Sequence, residues 1–278
     1  MRVLVTGAAG HIGRYVCREL ADHGFRVTAT DREPVDDPRV DRTHTGDLRD
    51  RELVRAALDG AEAVVHLGAI PHPVTDDPSR LFADNCLTAH RVLEEAGQAG
   101  IGRVVAASSL SAVGLAWAPR LLAPRYLPLD AEHPDLVEDA YGLSKLVLEE
   151  IARTAHRRWG TDTVCLRLPF TGTETRLKTH LAQIAADPGR GRSGLWAWLD
   201  TRDAAEAVRH ALTVPLHGSH VVTVAAPDTS APLPTEELLD RFLPGVPVLD
   251  AFAGHASLVD STACARLLGF RPRRTWRR

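Results

Sequence analysis

The segment "VLVTGAAGHIG" constrains the fold more than any other part of the chain. It places Gly7, Gly10 and Gly13 directly after an apolar run and at the start of an amphipathic stretch. A strand that turns on glycine into a helix brings bare backbone against whatever sits there, with the helix's first N–H groups free. Those groups and the positive end of the helix dipole suit a pyrophosphate. The spacing is G-x-x-G-x-x-G, not G-x-G-x-x-G, so context has to support it. Asp31 does so: it follows the next apolar run, about 20 residues on, where a carboxylate holds a ribose hydroxyl. It favours NAD, because a 2′-phosphate would meet a like charge. Arg32 beside it could stack on adenine or pair with that phosphate, which keeps NADP open. Asp47 and Leu48 in "TGDLRD", and Leu67, Gly68 and Ala69 in "VVHLGAI", extend the expected site. Asp47 has equally the chemistry of an N-cap for the helix after it.

Strand-like runs at 2–6, 26–30, 63–67, 103–107 and 163–168 alternate with helical patterns at 11–22, 51–58, 79–99 and 138–159. Such alternation means βαβ units and a parallel sheet covered on both faces. The fold expected is α/β: a Rossmann-type doubly wound parallel sheet over 1–168, binding a dinucleotide. A small substrate-binding part over 169–278 follows, with elements free to return to the first sheet. There Pro and Gly become frequent and elements shorten. "DPGRGRSG" reads as a loop, 195–212 as strand, turn and helix, "HVVTVAA" as a strand, and 235–242 and 258–268 as short helices. Trp196 and Trp198 alternate as on a strand, as core or as a sugar-stacking platform.

Net charge is −3, which gives no general pull towards nucleic acid or an anionic membrane. No apolar run approaches the roughly 20 residues of a membrane span. The opening residues read as strand and turn, not as a leader. Cys17, Cys86, Cys165 and Cys264 form no C-x-x-C pair, and the 13 histidines form no cluster, so no metal is expected. Reduced thiols point to the cytoplasm. The basic tail "RPRRTWRR" reads as a solvated end.

Of 33 basic residues only Lys145 and Lys178 are lysine, so a lysine asks for a reason. "YGLSK" puts Tyr141 and Lys145 one helical turn apart on one face. A phenol with a pKa near 10 is a poor acid–base catalyst at neutral pH; an adjacent ammonium stabilises its phenolate. "RVVAASSLSAVG" supplies Ser108, Ser109 and Ser111 at a strand end, where a hydroxyl can hold a substrate oxygen. Candidates for substrate contact are Ser111, His72 in "IPHPV", and Arg176 after the loop "TGTETR", which could pair with a carboxylate or phosphate. The stretch 116–128 between serine and tyrosine is expected to border the substrate.

Together these residues resemble the extended short-chain dehydrogenases/reductases, the family of NAD-dependent sugar epimerases and dehydratases. The resemblance runs through "TGAAGHIG", Asp31, "GDL", "HLGA", Asn85 in "NCLTAHRVLEEA", "SSLSAVG", "YGLSK", "RLPF" and "TRDAAEAVRHAL", to "LLGFRP" near the end. It implies that Gly7, Gly10 and Gly13 cradle the pyrophosphate beside His11 and Ile12. Asp31 would hold the adenosine ribose, with Asp47 and Leu48 near adenine. Leu67 to Ala69 would line the nicotinamide side, Asn85 would belong to the cofactor set, and Pro169 and Phe170 would lie near the carboxamide. Tyr141 would be the acid–base catalyst, Lys145 the nicotinamide-ribose ligand, and Ser109, by its offset from Gly114, the catalytic serine. The family's dimers imply a homodimer through a four-helix bundle, here from 79–99 and 138–159.

Two departures narrow the reading. The acidic pair of the dehydratases is missing at the serine position, so dehydration is not expected. Val113 stands where the family often has tyrosine. Residues 169–278 offer less surface than a nucleoside diphosphate needs, a pattern similar to the uronate dehydrogenases. The function expected is NAD(P)-dependent hydride transfer between the cofactor and a hydroxyl or carbonyl of a small sugar or sugar acid. The alternatives are a sugar epimerase with retained NAD and a non-catalytic NAD(P) sensor.

Overall fold

The apolar runs pair as parallel strands. The structure is a computed structural model that describes residues 1–73 and 77–277. In chain order the elements are β1 (Arg2–Thr6), α1 (His11–Asp22), β2 (Arg26–Asp31), β3 (Arg42–Thr45), α2 (Arg51–Leu58), β4 (Ala63–His66), α3 (Pro78–Gln98) and β5 (Arg103–Ser109). Then come a 3₁₀ turn (Leu110–Val113), α4 (Ala140–Trp159), β6 (Asp162–Leu168), β7 (Phe170–Gly172), α5 (Glu174–Ala186) and a second 3₁₀ segment (Pro188–Gly194). β8 (Trp198–Asp200), α6 (Thr201–Thr213), β9 (Ser219–Thr223), α7 (Thr235–Phe242) and α8 (Thr262–Leu268) complete them.

The main sheet has seven strands in the order β3-β2-β1-β4-β5-β6-β9, all parallel. The chain runs outward from β1, then returns to β4 and runs the other way. At such a reversal the connections leave to opposite faces and a crevice opens at the strands' carboxyl ends. One face is covered by α1, α6 and α8, through Val16, Cys17, Leu20, Ala204, Val208, Cys264 and Leu268. The other is covered by α2, α3 and α4, through Val54, Val92, Leu93, Leu148 and Ala152. A third core, with Leu110, Leu127, Ile184, Trp196, Leu238 and Leu258, lies under the later elements. It mixes residues before α4 with residues after β6, while β9 joins the main sheet.

Several expectations change. β3 reads "RTHT" and is mostly exposed, so no apolar run announces it; an edge strand needs none. The "TGTETR" loop is the end of β7 and the start of α5, and Arg176 stands in that helix's first turn. "DPGRGRSG" is 3₁₀ helix. The two tryptophans do not share a strand: Leu195 and Trp196 have φ of 54° and 50°, left-handed backbone, and β8 starts only at Trp198. Both indoles are buried and bonded, Trp196 Nε1 to the Pro188 carbonyl (2.6 Å) and Trp198 Nε1 to Asp228 (3.0 Å). No turn separates β8 from α6, because Asp200 ends the strand and caps the helix. The basic tail is not a free solvated end. Asp203, buried at the start of α6, accepts from the Arg273 and Arg274 N–H groups (3.1 and 2.9 Å) and from the Arg274 guanidinium. Thr275 donates to Asp228 (2.7 Å), and Trp276 Nε1 to the Thr229 carbonyl (2.9 Å).

Candidate active site

The crevice at the sheet's reversal has a volume of about 1210 Å³. Every site residue expected from sequence lines it: Gly7, Gly10, His11, Ile12, Gly13, Asp31, Arg32, Asp47, Leu48, Leu67, Gly68, Ala69, His72, Asn85, Ser109, Ser111, Tyr141, Lys145, Pro169, Phe170 and Arg176.

At the β1–α1 turn, a Cβ on Gly13 would lie 2.1 Å from the Gly7 carbonyl oxygen, so only glycine lets the helix begin this close to the strand. Gly10 precedes α1 with no side chain capping its N–H groups, which leaves donors for an anion. Asp31 accepts from Ala9 N–H (3.0 Å) and Glu33 N–H (3.2 Å), so the carboxylate also braces the glycine turn. The His11 ring bonds the Thr201 hydroxyl (2.8 Å) and ties α1 to α6. Burial and the nearby Arg176 charge lower its pKa. Asp47 is not the N-cap of α2; Asp50 is, accepting from Glu52 N–H. Asp47 instead takes Arg49 through both oxygens (3.1 and 2.8 Å), which holds its carboxyl below the usual range. Arg49 also bonds Asp84 on α3 (3.0 Å).

Thr6 closes β1 beneath this turn. Its hydroxyl oxygen accepts from Leu67 and Gly68 N–H (3.2 Å each), so its proton goes to His66 Nδ1 at 2.8 Å. That leaves His66 protonated at Nε2, and burial holds its pKa down to about 3. Asn85 is a bracket more than a ligand: it accepts from Ile70 N–H (2.8 Å) and donates to the Ile70 carbonyl and the Ser144 hydroxyl (3.2 Å each). The loop after β4 is thereby fixed to α4, one residue before Lys145.

Asp139 caps α4 by accepting from Gly142 N–H (2.8 Å). A Cβ on Gly142 would stand 2.6 Å from the Ser111 carbonyl, so glycine lets this turn close onto the 3₁₀ segment after β5. The closure brings Tyr141 to Ser109, whose hydrogen bond favours the phenolate. Burial is the larger influence and raises the phenol's pKa, with Asp139 adding to it. The direction is thus set by burial, against the expected pull of the amine. Ser109 Oγ also bonds Ser111 Oγ and Ser111 N–H (3.1 Å each). Lys145 Nζ donates to the Ala107 carbonyl (2.9 Å) and lies 5.7 Å from the Tyr141 ring centre. Burial pushes this lysine down to about 8, opposed by Cys165, Glu149 and Cys86.

The far end of the crevice holds residues that sequence reading missed. His180 stacks on Phe170 at 3.8 Å, and the Arg176 guanidinium lies 5.2 Å from that ring. Arg190, Trp196 and Ser230 line the same end, as do Ala116 and Trp117 from the 116–128 stretch. His180 follows Arg176 by four residues, a spacing that would have exposed the pair had α5 been read as a helix.

The glycine turn, its uncapped donors and Asp31 fit a dinucleotide: the donors suit phosphates and the carboxylate suits ribose. Among the described residues no group of side chains could hold a metal ion, and no helix is long and apolar enough to cross a membrane.

Known proteins place this arrangement. L-arabinose 1-dehydrogenase (NAD(P)(+)) of Haloferax volcanii is 30% identical over 227 residues, 78% of this chain and 85% of that protein. Sterol demethylase protein B of Methylococcus capsulatus is 39% identical over 120 residues, 41% of this chain and only 36% of that protein. A short-chain dehydrogenase/reductase superfamily protein of Agrobacterium tumefaciens, solved with bound NAD, superposes with a TM-score of 0.75 at 25% identity, covering 99% of this chain and 93% of that one. Uronate dehydrogenase of the same organism shares the fold, with a TM-score of 0.67 at 22% identity over 98% of this chain and 84% of that one. The model of the NAD dependent epimerase/dehydratase family matches residues 3–225, and the chain belongs to that family.

Proposed function

We propose that this chain oxidises a hydroxyl of a small sugar or sugar acid with NAD, NADP being the weaker cofactor. The observation that carries the reading is the meeting of Ser109, Tyr141 and Lys145 on one wall of the crevice. Residues 1–168 would hold the dinucleotide and residues 169–278 supply the substrate end, apart from the elements that return to the sheet.

When bound, NAD supplies a hydride acceptor beside these side chains. Ser109 holds the substrate oxygen by hydrogen bond. Tyr141, as phenolate, takes the hydroxyl proton while the carbon gives up its hydride. Lys145, as ammonium, stabilises the phenolate and offers donors to the ribose. Arg176 pairs with an anionic substituent where the sugar carries one, and His72 and Ser111 border the substrate. The likeness to an L-arabinose dehydrogenase over most of both chains supports a free sugar. Leu87 on α3 and Leu143 on α4 are exposed apolar residues, which supports a homodimer through those helices. Four free thiols agree with a reducing compartment, and the cytoplasm remains our proposal.

A second reading is favoured by Arg176 and Arg190 at the far end, which could take a nucleoside diphosphate. The chain would then be an epimerase that returns the hydride to the other face and releases no NADH. A screen of aldoses, uronic acids and nucleotide sugars, with NAD and NADP in parallel, separates the two. Stoichiometric NADH with a free sugar is expected; turnover of a nucleotide sugar without NADH would transfer the assignment to the epimerase.

Two further results are expected. Asp31→Ala should weaken NAD by about 100-fold, the loss of hydrogen bonds to a charged group. NADP should weaken less, though not negligibly, because the turn held through Ala9 loosens for both. Equal losses in calorimetric titrations would refute the preference for NAD. Burial raises the phenol and lowers the lysine, so the phenolate–ammonium pair is the minor form and the rate of oxidation should rise with pH only until Lys145 titrates at about 8. It should then level off, and fall only as the raised phenol itself ionises. A kcat/KM profile still climbing at about pH 10, where an ordinary lysine begins to titrate, would contradict that role for the ammonium.

A further inference from the structure

Beneath the catalytic wall lies an ion pair that proton transfer does not use. Glu149 stands one helical turn after Lys145 on α4 and is buried. It accepts from Arg167 Nε and Nη2 (2.8 Å each) and from the Ser108 hydroxyl (2.6 Å). Ser108 on β5 and Arg167 on β6 are direct register partners, so one carboxylate clamps the seam between two strands. Both strands lead straight into the site: Ala107 and Ser109 flank Ser108, and Pro169 and Phe170 follow β6.

Burying a carboxylate and a guanidinium costs desolvation that their attraction seldom returns, and an apolar pair of equal volume is often as stable. An isolated reason of stability therefore fails to account for the pair. Its position does. The Lys145 ammonium reaches the Ala107 carbonyl only if α4 and the end of β5 keep their spacing, which Glu149 fixes through Ser108. The charge facing Lys145 is that of Glu149 from its own helix, which pairs with Arg167 from β6. Cys165 on β6, Cys86 on α3 and His66 on β4 also face this cluster. Asp135, half-exposed before α4, meets Arg167 at 3.8 Å, and Arg153 lies further along α4. Without Glu149, Arg167 would keep only the half-exposed Asp135 as a counter-charge.

We infer that Glu149 and Arg167 are positioning residues for Lys145: their buried pair, tied to Ser108, sets the spacing of α4 on β5 and supplies the negative charge that keeps the lysine an ammonium. The inference rests on Lys145 serving proton transfer, and its first test needs no substrate. The chain has only two lysines, so lysine labelled with ¹⁵N gives two side-chain signals, with exposed Lys178 as internal reference. In Glu149→Gln the Lys145 midpoint should fall by about one pH unit, the effect of losing a nearby opposite charge. Its kcat should fall about 10- to 100-fold, as for a misplaced catalytic group, with KM for sugar and NAD nearly unchanged. The double variant Glu149→Leu, Arg167→Leu should melt near the wild-type temperature and still show the loss in kcat.

An unmoved Lys145 midpoint in Glu149→Gln, or wild-type kcat in the apolar double variant, would overturn the inference. Wild-type protein inactive on every sugar would instead fault the proposed function, and the lysine titration would still decide the role of the pair.

Discussion

Tyr141→Phe is expected to lower kcat about a thousandfold while NAD affinity stays within about twofold of wild type, since a positioned acid–base group contributes roughly 10²–10⁴ in rate. The substitution removes one oxygen and keeps the ring, so the buried site keeps its packing. What is lost is the atom that meets Ser109 and would take the substrate proton. Lys145 cannot replace it, because its amine is engaged with the Ala107 carbonyl 2.9 Å away. Single-turnover oxidation by NAD-loaded protein, with NAD affinity from calorimetry, checks both halves of the expectation. Turnover within about tenfold of wild type would remove the phenol from the reaction, given the size of the contribution a positioned acid–base group makes. A parallel loss of affinity would mean that the ring's hydroxyl serves binding instead.

Gly13→Ala is expected to weaken both dinucleotides by about 100-fold or more and to lower the melting temperature. The added carbon would sit 2.1 Å from the Gly7 oxygen and 2.8 Å from Ala8 Cα, all backbone, so no side chain can rotate away. The helix must move back from the strand, taking its N–H groups from the phosphate position. Overpacking of this kind costs about 1–3 kcal/mol in a core that can adjust, and about 3 kcal/mol corresponds to 100-fold in affinity. Equilibrium titration with NAD and NADP and a thermal melt measure the two effects. Wild-type affinity in this variant would mean that the glycine turn is a packing feature alone.

The N-terminal half was legible because its elements serve one sheet covered on both faces. There, apolar runs such as "RVLVT" and "AVVHL" can only be buried strands. The glycine spacing, Asp31 and "YGLSK" were legible because their chemistry is local in sequence. What stayed hidden depends on partners far along the chain. Asp47 carries the composition of a cap, but Arg49, itself held by Asp84, claims it. The alternation of Trp196 and Trp198 imitates a strand, while Leu195 and Trp196 take left-handed backbone held by the Gly191 carbonyl. The tail looks like a solvated charge run, yet Asp203 and Asp228 anchor it from the far side of the C-terminal part. The direction of the Tyr141 shift was hidden for the same reason: the spacing of Tyr and Lys says nothing about how deeply the phenol is buried.

The most direct test of hydride transfer in this crevice follows the hydrogen itself. A panel of aldoses and uronic acids, each deuterated at every carbon that bears a hydroxyl, is incubated with the protein and NAD, and the released cofactor is analysed by mass spectrometry. Deuterium recovered in free NADH in proportion to sugar oxidised is the predicted result. Deuterium that stays entirely on the sugar, or never enters the cofactor with any substrate the protein turns over, would contradict it.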